Sequence, residues 1–169
     1  MIRAAAVAGS LFFLGCAPAQ EAPVHHAAPP ATRSAPLDAV TLIHGGAGPW
    51  VVAGYRMGSF ALTKLGLERG SFDLEVVHYT PKQVQYACVA DGAAAATGAS
   101  LGKLNLALEN AESADTRTTY RRKSSGQSIT LRPAPSFITR YRDVPRDQLA
   151  AAGQEVLALP DDAIFEVVP

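Results

Sequence analysis

Apolar and polar positions repeat with a clear period in several stretches of the chain. In PWVVAGYRMGSFALTKL the apolar residues Val51, Tyr55, Leu62 and Leu65 recur at spacings of three or four. That spacing puts them on one face and predicts an amphipathic helix. Pro49 suits its first turn, where no backbone N–H is needed, and Gly66 or Gly70 ends it. Gly54 and Gly58 stand four apart, so a second element can approach that side closely. In SFDLEVVHYT, Phe72, Leu74 and Val76 alternate with Asp73, Glu75 and Val77, the period of a strand, and Thr80-Pro81 breaks it. An alanine-rich helix follows from Lys82, with Val84, Cys88 and Ala95 on one side and its end near Thr97–Gly98.

Beyond Asn105 the pattern turns to β structure. LNLALENA reads as a strand, AESADT as a polar loop, and RTTYRRKSSGQSITLRP as a hairpin turning at Ser124-Ser125-Gly126. Pro133 and Pro135 end its second strand. PRDQLAAAGQEVLALP predicts a last helix. DDAIFEVV is a closing helical turn or edge strand whose Ile164 and Phe165 pack on the core. The order helix, strand, helix, strands is not a strict alternation, so an α+β fold is expected.

The N-terminus follows a different logic. MIRAAAVAGSLFFLGC joins a basic Arg3, an apolar run and a small residue before a cysteine. It reads as a secretory leader over residues 1–16, with Cys16 as the lipidated mature terminus. Ala17 after that cysteine favours the outer membrane, so the expected location is its periplasmic side. Residues 17–36 are rich in Pro and Ala without periodicity and read as a disordered tether. The adjacent His25 and His26 within it read as plain linker. Residues 37–169 then form one folded domain.

Composition narrows the partners. Fifteen basic and fifteen acidic residues balance to zero formal charge, which argues against nucleic acid. The basic run Arg121-Arg122-Lys123 beside the hairpin turn reads as a solvated tip. With Cys16 carrying lipid, Cys88 is a lone thiol. It shares a helix face with Asp91, three residues on. Ser100, Gly102, Lys103 and Asn105 crowd the following turn, which brings a thiol, a carboxylate, a lysine and an amide into one short stretch. His78, near the end of its strand, reads as a surface or satisfied histidine. HGGAG is not accompanied by a G-x-S-x-G nucleophile elbow, and GASLGK has the wrong spacing for a phosphate-binding P-loop.

Two blocks carry a family resemblance. In ACVADGAAAATGASLGKLN, Cys88, Asp91, Thr97, Gly98, Gly102, Lys103 and Asn105 fall in register with the motif C-x-x-D-A-I-Q-x-x-T-G-C-T-x-G-K-G-N. That motif resembles the one carried by the FmdE-like family, which takes its name from formylmethanofuran dehydrogenase. Ser100 takes the family's Thr place. In HGGAGPWVVAGYR, His44, Gly45, Pro49, Gly54, Tyr55 and Arg56 match H-G-H-x-C-P-G-L-A-x-G-Y-R. The departures fall on metal-ligand types: Gly46 replaces a His, and Gly48 and Ala99 replace Cys. The resemblance implies a mixed sheet covered by helices and a His/Cys metal site, of which His44 and Cys88 remain. Asp91 would be a third ligand or would orient one.

Three functions are expected from this reading. One is binding of a divalent metal such as zinc at His44, Cys88 and Asp91, with metal-dependent catalysis as its extension. The second is a metal-free pocket for a small carboxylate- or phosphate-bearing ligand. There the resemblance places HGGAG near the turn from Thr97 to Asn105. Backbone N–H groups and Lys103 would hold the anion, assisted by Tyr55, Arg56, Thr97, Ser100 and Asn105. The third is a non-catalytic protein of the cell envelope, tied to the membrane through its lipid. A homodimer is compatible with all three. The metal of the related molybdenum or tungsten enzyme and its cytoplasmic activity are not expected in an exported protein.

Overall fold

The computed structural model describes residues 34–169. The leader, Cys16, His25, His26 and the tether up to residue 33 lie outside the described residues. Among the described residues the α-helices are α1 (Ala35–His44), α2 (Pro49–Leu65), α3 (Val84–Thr97), α4 (Pro135–Tyr141) and α5 (Leu149–Ala158). Five strands are β1 (Leu74–Thr80), β2 (Leu106–Asn110), β3 (Arg117–Arg122), β4 (Ser128–Pro133) and β5 (Phe165–Val168). The strands make one sheet in the order β2-β1-β3-β4-β5. The β1–β2 pair is parallel, because α3 carries the chain back between them, and the other pairs are antiparallel. The fold is therefore α+β, a mixed sheet covered by helices.

The centre of the molecule is the contact between α2 and α3. A Cβ placed on Gly92 would stand 1.9 Å from the Val51 carbonyl oxygen, and one on Gly54 would stand 2.2 Å from that of Val89. The two backbones touch with no side chain between them. Gly58 continues the seam, packing on Ala96 and Thr97. This is the close approach that Gly54 and Gly58 predict, and Gly92 is its counterpart on α3. The alanines of α3 serve the same purpose: the helix is hemmed in by α1, α2 and the sheet, and only small side chains fit. A third close approach brings α5 onto the loop after α1, where a Cβ on Gly153 would stand 1.8 Å from the Ala47 carbonyl.

Several expectations shift. A helix that was not predicted, α1, leads into His44; it opens inside the last residues of the expected tether and buries Leu37 and Val40. It stops where Gly45 takes the left-handed conformation at φ 82°. Phe72 is exposed, and β1 begins at Leu74 because the chain is still turning before it. Val84, the first residue of α3, faces outward. Helix α4 was not foreseen. Its Phe137 and Tyr141 are buried, and the Trp50 indole N–H donates to the Tyr141 carbonyl at 2.8 Å. That bond, with edge contacts from Trp50 to Tyr86 and Phe137, fixes the start of α2 against α3 and α4. The closing segment is a 3-10 turn followed by the edge strand β5, with Ile164 and Phe165 buried as expected.

His78 is fully buried. Its Nδ1 accepts from the Thr118 hydroxyl at 2.8 Å and its Nε2–H donates to the Tyr86 carbonyl at 3.0 Å, so it ties the start of α3 to the sheet. Burial pushes its pKa down to about 4 and keeps it neutral. It is a satisfied core histidine.

The glycine seam makes a direct prediction. Gly92→Ala forces α2 and α3 apart and lowers stability by about 2 kcal/mol or more, a fall in Tm of roughly 6–10 °C by thermal denaturation. Gly102→Ala, where a Cβ meets nothing within 4 Å, leaves Tm nearly unchanged. Equal effects would place the constraint elsewhere.

Candidate functional site

Two helices, α1 and α3, bring the candidate chemistry together. His44 is the last residue of α1, and the Gly45 turn aims it at α3. Cys88 and Asp91 lie on one face of α3, as their spacing requires. The His44 Nδ1–H donates to Asp91 Oδ2 at 2.8 Å. Since the proton is on Nδ1, Nε2 is an acceptor, and it faces the Cys88 Sγ at 3.2 Å. The thiol donates to the imidazole, and the imidazole donates to the carboxylate. Burial, together with the negative charge of Asp91, pushes the Cys88 thiol up to about 11. At neutral pH it is therefore an S–H.

His44 and Cys88 open onto a cleft of about 560 Å³, while Asp91 is not among its lining residues. The loop from Gly45 to Gly48 and the first turn of α2 form one wall, and the start of α3 forms another. The segment between α4 and α5, contributing Arg142 and Arg146, closes it together with Leu149 at the start of α5. Most of the lining is apolar. The first hydrogen bond of α2 runs from Val52 N to the Gly48 carbonyl. The N–H groups of Trp50 and Val51 therefore have no acceptor within the helix, and both residues line the cleft. Among the described residues, neither Arg142 nor Arg146 is in an ion pair. Neither arginine was foreseen. In the sequence Arg142 sits in a polar stretch without periodicity and Arg146 in the first turn of the expected last helix, and only the packing of α4 beside Trp50 brings them to the cleft.

The other expected ligand-binding residues are elsewhere. The α3 helix separates the turn from Thr97 to Asn105 from Cys88, about 15 Å along the axis between Cys88 and Gly98. That turn closes the C-terminus of α3. Lys103 Nζ donates to the Gly98 and Gly70 carbonyls. The Thr97 hydroxyl donates to the Ala93 carbonyl and accepts from Ala99 N–H. Ser100 Oγ accepts from Lys103 N–H. Asn105, buried, accepts from Ser100 N–H and donates to the Leu74 carbonyl, joining the turn to β1. Arg56 donates to the Val156, Leu157 and Leu159 carbonyls at the end of α5 and pairs with Asp161. Tyr55 packs, half-buried, beside Val40, Val51 and Ala95. The expected convergence of HGGAG with Lys103 is corrected: these residues cap helices and join elements.

The metal implied by the resemblance can be tested against this geometry. Cys88 and Asp91 meet opposite edges of the His44 ring, so an ion on Nε2 beside Cys88 is out of reach of Asp91. Of the positions where the resemblance places further ligands, 46 and 48 hold glycine and 99 holds alanine at the far end of α3 from Cys88. Among the described residues, no group of three or more His, Cys, Asp or Glu is placed to hold a metal ion. A zinc site needs three or four protein ligands, and this donor set does not fit one.

A family model described as "FmdE, Molybdenum formylmethanofuran dehydrogenase operon" matches residues 43–166. No curated protein matches the chain.

The state of Cys88 is measurable. In a chain carrying Cys16→Ala, ultraviolet titration of the thiolate is expected to show a midpoint near pH 11, above the ordinary 9.0. Asp91→Asn removes a negative charge and moves the midpoint down. A midpoint below 9 in the unaltered site would mean a preformed thiolate–imidazolium pair.

Proposed function

The chain belongs to the FmdE family, and on that footing we propose that it is a ligand-binding domain whose cleft takes a small molecule with a carboxylate or phosphate group and an apolar portion. The observation that carries this reading is the cleft itself. An apolar lining meets a rim with two guanidinium groups and the positive end of α2, a combination that favours an anion attached to a hydrophobic body. Its volume, about 560 Å³, suits an ordinary metabolite. The residues assigned to the ligand are Arg142, Arg146 and the first turn of α2, with His44 and Cys88 at the cleft wall.

The domain acts, on this reading, as a lipoprotein held at the envelope by Cys16. The basic Arg3, the apolar run and Leu14-Gly15-Cys16 support that part.

The ligand reading is tested by thermal shift with medium-chain monocarboxylates and alkyl phosphates. A binder present at a hundred times its Kd stabilises by about 2.7 kcal/mol. Arg142→Ala combined with Arg146→Ala is expected to weaken binding roughly tenfold or more, the loss of at least one charge-assisted hydrogen bond. Unchanged affinity would remove the arginines from the site. Failure of every anion to bind would favour a non-catalytic envelope protein. The anchor is tested by fractionation: the full chain should travel with membranes and carry added acyl mass, and Cys16→Ala should move it to the soluble fraction. A soluble, unacylated parent would end that part of the proposal.

A further inference from the structure

We infer that Cys88, His44 and Asp91 form a nucleophilic triad acting on an activated acyl group, an ester or thioester, held in the cleft. This rests on the reading of the cleft as a ligand site and goes beyond binding. Three observations carry it. The contacts follow the order a triad needs: nucleophile to Nε2 at 3.2 Å, and Nδ1–H to carboxylate at 2.8 Å. The nucleophile and the base line the cleft, whereas the carboxylate does not. Trp50 and Val51, in the first turn of α2, line the same cleft, and their N–H groups have no acceptor within that helix, the kind of donor that a developing oxyanion needs.

The thiol is protonated at rest, so His44 must act as a general base during attack. The Sγ–H proton passes to Nε2 as the S–C bond forms and the carbonyl electrons move to oxygen. When the carbonyl re-forms, the bond to the leaving group breaks, and Nε2–H gives that group its proton. Water then attacks the thioester. His44 takes a proton from the water, the S–C bond breaks, and the proton returns to sulfur. The sum is acyl–X plus water giving a carboxylic acid plus H–X. No oxidant or metal enters. The carboxylic acid product is itself an anion that the arginine rim would hold.

Asp91 is a positioning residue, since it reaches the substrate only through His44. It fixes the Nδ1–H tautomer and stabilises the imidazolium that forms.

The test uses the full chain and 4-nitrophenyl acetate as probe, with release of nitrophenol followed in time and the adduct located by peptide mapping. The expected result is an acetyl group on Cys88 rather than Cys16, formed at least 100-fold more slowly in His44→Gln, the scale of general-base assistance. Asp91→Asn should slow it about tenfold or more, with Asp91→Glu recovering part of the loss. All variants should be matched for Tm, and His44→Asn is a second probe if His44→Gln fails to fold. Acetylation of Cys88 at the parent rate in both folded His44 variants would show an ordinary accessible thiol and overturn the triad. So would a folded parent that forms no adduct and releases nitrophenol no faster than Cys88→Ala. Anion binding by Cys88→Ala separates the two readings: if it persists while the parent is not acetylated, the cleft stands and the triad falls. If acetylation depends on His44 while no anion binds, the triad stands and the anion reading of the cleft falls.

Discussion

The backbone seam between α2 and α3 decides what the site can be. With Gly54, Gly58 and Gly92 at the crossing, the helices approach until carbonyls stand where side chains would otherwise be. That distance sets where the first turn of α2 lies relative to Cys88 on α3. His44 is placed by the same constraint, because only the short loop from Gly45 to Gly48 links it to Pro49. Gly153 extends the seam to α5, which holds that loop from outside. A cleft whose walls come from helices packed this tightly is pre-organised, and little ordering remains to be done when a ligand enters.

The site shows a division of labour that the motif alone does not reveal. The two parts of α3 carry different kinds of polar residue. Before and at its middle, Cys88 and Asp91 have exposed surface and meet a histidine from another helix. At its end, Thr97, Ser100, Lys103 and Asn105 satisfy backbone groups that would otherwise be orphaned where the helix stops and the chain enters the sheet. Lys103 spends its charge on two carbonyls, and buried Asn105 bridges the turn to β1. The first part is chemistry and the second is architecture. The same holds for Arg56, whose guanidinium caps α5.

Much of the fold was legible because it follows period and breakers. The faces of α2, the alternation in β1, the hairpin around Gly126 and the common face of Cys88 and Asp91 all rest on local geometry. The closeness implied by Gly54 and Gly58 was legible too, because glycine in a helix costs stability unless something uses the space. What was not legible depends on long-range contacts. Helix α4 is short, and its buried Phe137 and Tyr141 make sense only once Trp50 is beside them. Arg142 and Arg146 become cleft residues through that packing alone. The turn from Thr97 to Asn105 looked like a site because polar residues in one turn suit a ligand and a helix end equally well. Among its residues, only burial and hydrogen-bond partners tell the two apart. The metal set failed for a similar reason: spacing showed that Cys88 and Asp91 share a face, but not that His44 would enter between them.

The central claim is that His44 sits between a thiol and a carboxylate with its proton on Nδ1, in place of a metal centre. Nitrogen-15 NMR of the histidine rings, assigned with a His44→Gln variant, tests it most directly. The account predicts a neutral His44 ring with Nδ1 protonated and Nε2 bare, whose Nδ1–H signal shifts in Asp91→Asn and whose spectrum does not respond to one equivalent of zinc. A ring protonated on Nε2, or a His44 signal displaced by stoichiometric zinc and restored by chelator, would contradict it.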